Sequence, residues 1–353
     1  MNKAHLSLID RLEKTHSLTK DEYLILIRDL DDEEDAYLAK KALATKEQYY
    51  GNSIFIRGLI EVSNICKNDC YYCGIRASNR NCDRYRLTPD DILACCDEGY
   101  VLGFRTFVRQ GGEDGFFTDD VLCGILSRIK ERYPDCAVTL SLGERSADSY
   151  CRLKAAGADR YLLRHETADR THYGLLHPPS LSWDNRMQCL CDLRECGFAV
   201  GCGFMVGSPF QTEEMLAGEL AFIEAFKPDM CGIGPFIPHK DTDFRDFGAG
   251  SVAMTCRLLS CIRLIHPTVL LPATTALGTL HPRGREMGIL HGANVVMPNL
   301  SPTSVRKKYM LYDNKLSDGD ESAQAVQSLR ARLQSIGCDI VVARGDRAQI
   351  NEI

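Results

Sequence analysis

Residues 53–76 read SIFIRGLIEVSNICKNDCYYCGIR, an apolar, β-branched run that breaks into a polar loop carrying Cys66, Cys70 and Cys73. The run over 53–63 reads as a buried strand, and the loop begins where that strand stops. The pattern returns at 105–110 (RTFVRQ), 137–142 (AVTLSL), 159–164 (DRYLLR), 199–206, 230–236, 269–274 and 294–299. Helical stretches near 88–102, 118–132, 146–156, 181–196, 211–226, 250–265 and 282–291 separate these runs. Steps such as AAGADRY, ECGFAV and HGANVV fit a helix closing on glycine before the next strand. Strands and helices alternating in this way predict an α/β fold, a (β/α)8 barrel of the TIM type.

Residues 1–50 read as a helical lead packed on that barrel, with Ser17 and Thr19 as N-caps. The barrel is expected over 51–312. A tail at 313–353, helical near 323–336, is expected to complete or cover it. In such a barrel function collects at the C-terminal strand ends, and the polar oddities fall there. The cysteine loop follows the first strand and QGGEDG (110–115) the second, while TLSLGE, LLRHET, GPFIPH, PATTALGT and MPNLSP end later ones.

The chain has 353 residues, 44% hydrophobic and 25% charged, with a net charge of −6. That balance speaks against a nucleic-acid binder, and the short basic run Arg306-Lys307-Lys308 reads as a solvated helix turn. No apolar stretch reaches the roughly eighteen residues of a membrane span, and the first residues hold no signal-peptide pattern. A cytoplasmic location is expected. An odd count of 17 cysteines without an export signal predicts free thiols rather than disulfides. Cys123, Cys151, Cys189 and Cys261 read as small apolar fillers in helices. Such thiol abundance suits an anaerobic cell.

The spacing Cys-x3-Cys-x2-Cys is one ligand short of a closed site. Structural zinc takes four ligands, commonly as two pairs, and no second Cys-x2-Cys pair exists here. Three thiolates on a catalytic zinc would make it a poor Lewis acid. A 4Fe-4S cluster with three thiolates leaves one iron open to an external chelator. This spacing is the hallmark of radical S-adenosylmethionine (SAM) enzymes, which the loop resembles. There the methionine amine and carboxylate fill the open iron, and an electron from the cluster releases a 5′-deoxyadenosyl radical. Tyr72 matches the aromatic that flanks the adenine, and Asn64 and Asn68 are expected to tie the loop. The run Gly111-Gly112-Glu113-Asp114 resembles the superfamily's glycine-rich motif, where backbone approaches the methionine amine and a side chain would block it. Glu166 and Arg186 offer opposite charges for the methionine amine and carboxylate.

From about Asn52 to Tyr312 the chain resembles the HydE family of radical SAM maturases. The stretches CKNDCYYCGIR, RYRLTPDDI, TLSLGE, GADRYLLRHETA, GIGPFIPHKDTDF, PATTALGT and GANVVMPNLSP carry the likeness. Biotin synthase and methylornithine synthase are similar, with the same radical SAM barrel and helical lead. The resemblance implies cluster ligands at Cys66, Cys70 and Cys73. It implies SAM contacts at Tyr72, Gly111, Gly112, Glu113, Ser141, Glu166 and Arg186. It implies a substrate cavity lined by Thr139, Arg160, Arg164, Thr274, Thr275, Met297 and Tyr309. The implied substrate is an organometallic one, a cysteine-bound iron dicarbonyl cyanide complex made by HydG. Its product goes toward the diiron centre of FeFe-hydrogenase on HydF, with a ferredoxin or flavodoxin as electron donor.

Arg160 and Arg164 stand four apart on one strand, so their even spacing points both to one face. Two arginines inside a barrel need anions. The region after Tyr312 holds only Cys338, so no accessory cluster is expected. A biotin-synthase-like or methylornithine-synthase-like enzyme acting on a small organic substrate stays open. Cys136, Cys202 and Cys231 lie in or near strands, where such an enzyme's second cluster would need thiols. An iron–sulfur scaffold is the third reading, although it leaves the glycine motif, Glu166 and Arg186 without purpose.

Overall fold

The computed structural model describes residues 2–317 and 319–349. Residue 1 of the expected lead, and residues 318 and 350–353 of the expected tail, lie outside the described residues. Three helices open the chain: α1 (Lys3–Thr15), α2 (Lys20–Arg28) and α3 (Asp32–Tyr50). Thr19 caps α2 in a reciprocal box with Glu22. Ser17 caps nothing; its hydroxyl donates to Glu224 at 2.6 Å and ties the lead to the barrel's helices.

The first stave breaks at Arg57 into β1 (Ser53–Ile56) and β2 (Gly58–Ser63). Parallel pairing then runs from β2 through β3 (Thr106–Gly111), β4 (Ala137–Ser141), β5 (Arg160–Leu162) and β6 (Ala199–Cys202). β7 (Met205–Val206) pairs with β9 (Gly234–Pro235) above the pairing of β6 with β8 (Met230–Cys231), so the fifth and sixth staves each have two segments. The seventh stave is a pair of bridges, Met230 to Leu270 and Pro272 to Val295. β10 (Val295–Val296) pairs with β1, and a bridge from Leu59 to Asn299 closes the ring. The expected (β/α)8 barrel is present, with every strand parallel.

The outer layer holds α4 (Pro89–Val101), α5 (Asp119–Arg132), α6 (Ala147–Ala155), α7 (Arg170–Leu176), α8 (Trp183–Glu195), α9 (Glu213–Phe226) and α10 (Val252–Ile265). Then come α11 (Thr275–Leu280), α12 (Gly284–Leu290), α13 (Thr303–Arg306), α14 (Val326–Gln334) and a last strand, β11 (Asp339–Val341), which pairs with β1. α2 packs on α9 and α3 on α10. Gly197 follows α8 with φ +83°, the left-handed turn that the ECGFAV step requires.

Three expectations are corrected here. Cys151 and Cys196 form a disulfide, against the expectation of free thiols. They stand 45 residues apart in sequence, but α6 packs on α8 and brings their Cα atoms to 5.0 Å. Cys123 is only half-buried, whereas Cys189 and Cys261 are buried fillers. Arg306 is no solvated turn residue; it is buried, and its Nε donates to the Ser301 carbonyl at 2.6 Å.

Arg160 is the third correction. Parity is right, since it faces the barrel interior as Arg164 does. Four residues of strand nevertheless span about 13 Å, which puts the two at opposite ends. Arg160 lies at the lower, N-terminal mouth, where its guanidinium donates to Thr106 Oγ1 (3.1 Å), the Arg344 carbonyl (3.0 Å) and Asp346 Oδ1 (2.6 Å). Its anion is therefore the chain's own tail. Thr139, paired in register with Arg160, is buried and does not reach the upper cavity either.

Candidate active site

The cysteine loop leaves β2 and folds against the glycine loop that leaves β3. Buried Asn64 pins its base: Nδ2 donates to the Asp83 and Lys308 carbonyls, both at 2.8 Å, and Oδ1 accepts from the Tyr85 amide at 2.7 Å. The Asn68 amide points at Cys66 Sγ (3.4 Å). The Lys67 amide donates to the Glu113 carbonyl at 3.1 Å, joining the two loops. A Cβ on Gly112 would stand 2.3 Å from the Ile65 carbonyl oxygen and 2.8 Å from Cys66 Cβ. Only glycine fits that contact.

The loops roof a cavity of about 330 Å³ at the upper mouth of the barrel, within the range of small-molecule sites. Cys66, Cys70, Cys73 and Tyr72 line one side. Next to them stand Gly111, Gly112, Glu113, Ser141, Glu166 and Arg186. Arg164, Thr274, Thr275, Met297 and Tyr309 line the deeper part. Thr139 and Arg160 are the only expected site residues left out.

Burial pushes the Cys70 thiol up to about 12 and raises Cys66 and Cys73 as well. These are thiols that need a metal to become thiolates. Among the described residues no three His, Cys, Asp or Glu side chains converge on one ion. A cubane cluster does not require that, because each thiolate meets a different iron. The donor set therefore fits a three-ligand cluster and not a mononuclear site.

Tyr72 is oriented by a buried histidine. His177 Nδ1 lies 3.0 Å from the Tyr173 carbonyl and must donate to it, so Nε2 accepts from the Tyr72 hydroxyl at 3.2 Å. Burial pushes His177 down to about 3 and keeps it neutral. Glu113 holds the neighbouring turn: its Oε1 accepts from the Glu144 amide (3.0 Å) and its Oε2 pairs with Lys67 (3.0 Å). Arg186, on α8, donates to Glu144 (2.5 Å) and to the Arg164 carbonyl (2.6 Å).

Several polar atoms are buried here without a partner, which a folded chain tolerates where a ligand supplies one. Glu166 has φ +65°, strained for a non-glycine residue, and its Oε2 accepts no hydrogen bond. Arg164 lies 3.2 Å from that oxygen in a charge contact that is not aligned as a hydrogen bond, leaving its Nε and Nη2 free. Thr274 Oγ1 is also free, whereas Thr275 Oγ1 is engaged by Glu321 at 3.1 Å.

Sequence reasoning missed Glu61, Gln110, Tyr312 and Lys315, which also line the cavity. Glu61 had a signal, an acid inside an apolar strand on the inward parity of Leu59. Lys315 had none. Cys202 and Cys231, paired in register, point into the helix layer toward Glu219 and Arg194, while Gly201 takes the inward position against Leu162 and Met230. Cys136 precedes the lower end of β4. Neither strand thiol faces the cavity as a second cluster would demand.

Residues 60–223 match the radical SAM superfamily. The chain is 39% identical over 332 residues to the FeFe hydrogenase maturase subunit HydE of Thermotoga maritima, covering 94% of this chain and 93% of that protein. It superposes on the crystal structure of methylornithine synthase (PylB) with a TM-score of 0.84 at 25% identity, covering 95% and 97% of the two chains. On a crystal structure of HydG, a maturase of the FeFe-hydrogenase, the TM-score is 0.80 at 22% identity, covering 97% of this chain and 76% of that one. The latter likeness is one of fold.

Proposed function

Since this chain belongs to the HydE family within the radical SAM superfamily, we propose that its upper cavity binds SAM against the cysteine loop and an anionic organometallic substrate beneath it. The chain is a radical SAM enzyme, and the family brings a 4Fe-4S cluster and SAM. Cys66, Cys70 and Cys73 hold the cluster in this reading, and one cluster per chain is expected because the tail offers only Cys338. When bound, the cluster supplies the electron that splits the sulfonium C–S bond of SAM to release the 5′-deoxyadenosyl radical.

The chain's own residues bind and orient. Gly111 and Gly112 let backbone approach the methionine end, Tyr72 flanks the adenine with its hydroxyl fixed by His177, and Glu166 and Arg186 meet the amine and carboxylate. Arg164 and Thr274 face the substrate with free donors, with Thr275, Met297 and Tyr309 around it. The substrate is a cysteine-bound iron dicarbonyl cyanide complex, received from HydG and passed toward HydF, with a ferredoxin or flavodoxin as reductant in the cytoplasm. The 1–50, 51–312 and 313–353 division belongs to the same reading: lead, catalytic barrel and closing tail.

The observation that carries this is the meeting of the three thiols with Glu166 Oε2, Arg164 Nε and Nη2 and Thr274 Oγ1, all buried without a hydrogen bond, in one cavity. Anaerobic reconstitution is expected to load about four irons per chain, and dithionite with SAM to yield 5′-deoxyadenosine. Cys70→Ala is expected to lose both. An intact cluster that never cleaves SAM would sink the enzyme reading. SAM cleavage without action on the complex would turn the assignment to a small organic substrate, and about six irons would reveal an accessory cluster.

A further inference from the structure

The segment at 308–315 crosses the upper mouth of the barrel. The Gly74 amide donates to the Leu311 carbonyl at 2.8 Å and the Asp313 amide to the Pro238 carbonyl at 3.0 Å, so it is tied both to the cysteine loop and to the loop after β9. Asn314, at φ +57°, turns the chain back inward, a conformation asparagine adopts readily. The result is that Lys315, next to exposed Asn314, drives its ammonium into the cavity wall that Tyr309, Leu311 and Tyr312 also line. Its side chain is 6% exposed and its Nζ lies 2.6 Å from Oε1 of fully buried Glu61. Glu61 Oε2 accepts from Asn299 Nδ2 at 2.9 Å, which fixes the carboxylate on its strand. Nζ also stands 5.3 Å above the Tyr309 ring.

We propose that Lys315 is a further substrate-anchoring residue, a cation seated on Glu61 that turns its remaining N–H donors to the anionic group of the entering substrate. This rests on the cavity being the substrate site. A buried cation waiting without a partner would be costly, and Glu61 removes that cost. The two ends of the pair differ in mobility. Glu61 is clamped by Asn299, whereas a lysine ammonium on a four-carbon stem can swing and re-form its hydrogen bonds. A carboxylate or cyanide of the substrate would take a second of the ammonium's three N–H donors while Glu61 keeps the first, giving the anion a donor from the roof of the cavity that Arg164 and Thr274 also line.

The test uses the reconstituted full-length holoenzyme with the cysteine-ligated iron dicarbonyl cyanide complex as probe, compared at equal iron content. Lys315→Gln is expected to raise the KM for the complex about tenfold or more, the effect of one charge-assisted hydrogen bond, with kcat changed about twofold at most. Lys315→Arg is expected to restore much of the loss. Glu61→Gln is expected to lower KM, because it removes the competing anion; a merely structural ion pair would weaken the enzyme in the same direction from either side. A Lys315→Gln KM within about threefold of the parent overturns the proposal while leaving the function intact. If the parent cleaves SAM yet ignores the complex, the functional reading falls and the proposal with it. Should Lys315→Gln fail to fold, the Glu61→Gln/Lys315→Gln pair, which leaves no lone buried charge, is compared with Glu61→Gln alone on the same KM criterion.

Discussion

Adjacent threonines at the end of the seventh stave show how finely the cavity assigns roles. Thr274 is the N-cap residue of α11 by position but makes no capping hydrogen bond, and its hydroxyl is free beside the cavity. Thr275 spends its hydroxyl on Glu321, which also holds Arg285. Thr274→Val should therefore raise the KM for substrate several-fold with little change in thermal stability. Thr275→Val should cost about 1 kcal/mol of stability, because it leaves a buried carboxylate short of a donor. Steady-state kinetics and thermal unfolding of the two variants check this split; equal effects on both properties would refute it. The one-dimensional pattern could name both threonines but could not tell them apart, since their difference is a contact with a residue 46 positions away.

At the scale of elements, long periodic segments were legible; of the short ones, α6 and α12 were expected, whereas α7 and α11 were not. α4, α5, α8, α9 and α10 each run at least 13 residues with an apolar face, and all were expected. α7 and α11, of 7 and 6 residues, are too short to show a period, and α11 was masked by the β-branched character of its own threonines. The disulfide joining α6 to the end of α8 was equally hidden, because pairing depends on how two helices pack. Closing a 45-residue loop, it should contribute up to about 4 kcal/mol by restricting the unfolded chain. Cys151→Ser/Cys196→Ser is expected to lower the urea midpoint of the apo protein by a corresponding amount, and an unchanged midpoint would show that the bond adds nothing.

Across the whole molecule the barrel is polar at both ends and sealed below by its own tail. Asp346 gives the buried Arg160 a carboxylate at 2.6 Å, Asp159 acts on it at longer range, and Arg344 pairs with Asp159 at 3.0 Å. Asp346 is itself half exposed, so solvent screens part of that pairing. Asp346→Asn is expected to cost about 1–2 kcal/mol of stability while leaving SAM cleavage intact, as thermal unfolding and 5′-deoxyadenosine formation would report. Buried histidines set a global pH response: burial lowers His172 and His291, and lowers His177 and His266 furthest. Burial holds His177 at about 3 and His266 at about 4, against about 6.5 in an unfolded chain. Below pH 6.5 the unfolded state binds the extra protons, so stability falls as pH drops toward 4.5, before most carboxylates titrate. The slope should approach about 1.4 kcal/mol per pH unit for each histidine. Urea unfolding of the apo protein from pH 7 to 4.5 measures it, His266→Asn should reduce it, and a flat profile would contradict neutral burial.

Local chemistry and periodicity were enough for the barrel and the radical SAM family, and they named the three-thiol loop, the glycine run, Glu166 and Arg186, which meet around one cavity. Each of those is written in neighbouring residues: spacing along a loop, alternation along a strand, a cap before a helix. Depth in the barrel was not, and Arg160 shows why. Parity tells which face a residue takes, but only the closed ring and the returning tail decide whether it meets substrate or Asp346. The same holds for Lys315, which a turn at Asn314 and a carboxylate 254 positions earlier in the chain carry into the cavity. Contacts between distant segments exist only once the chain has folded, and they decide which of the right residue types are free to act.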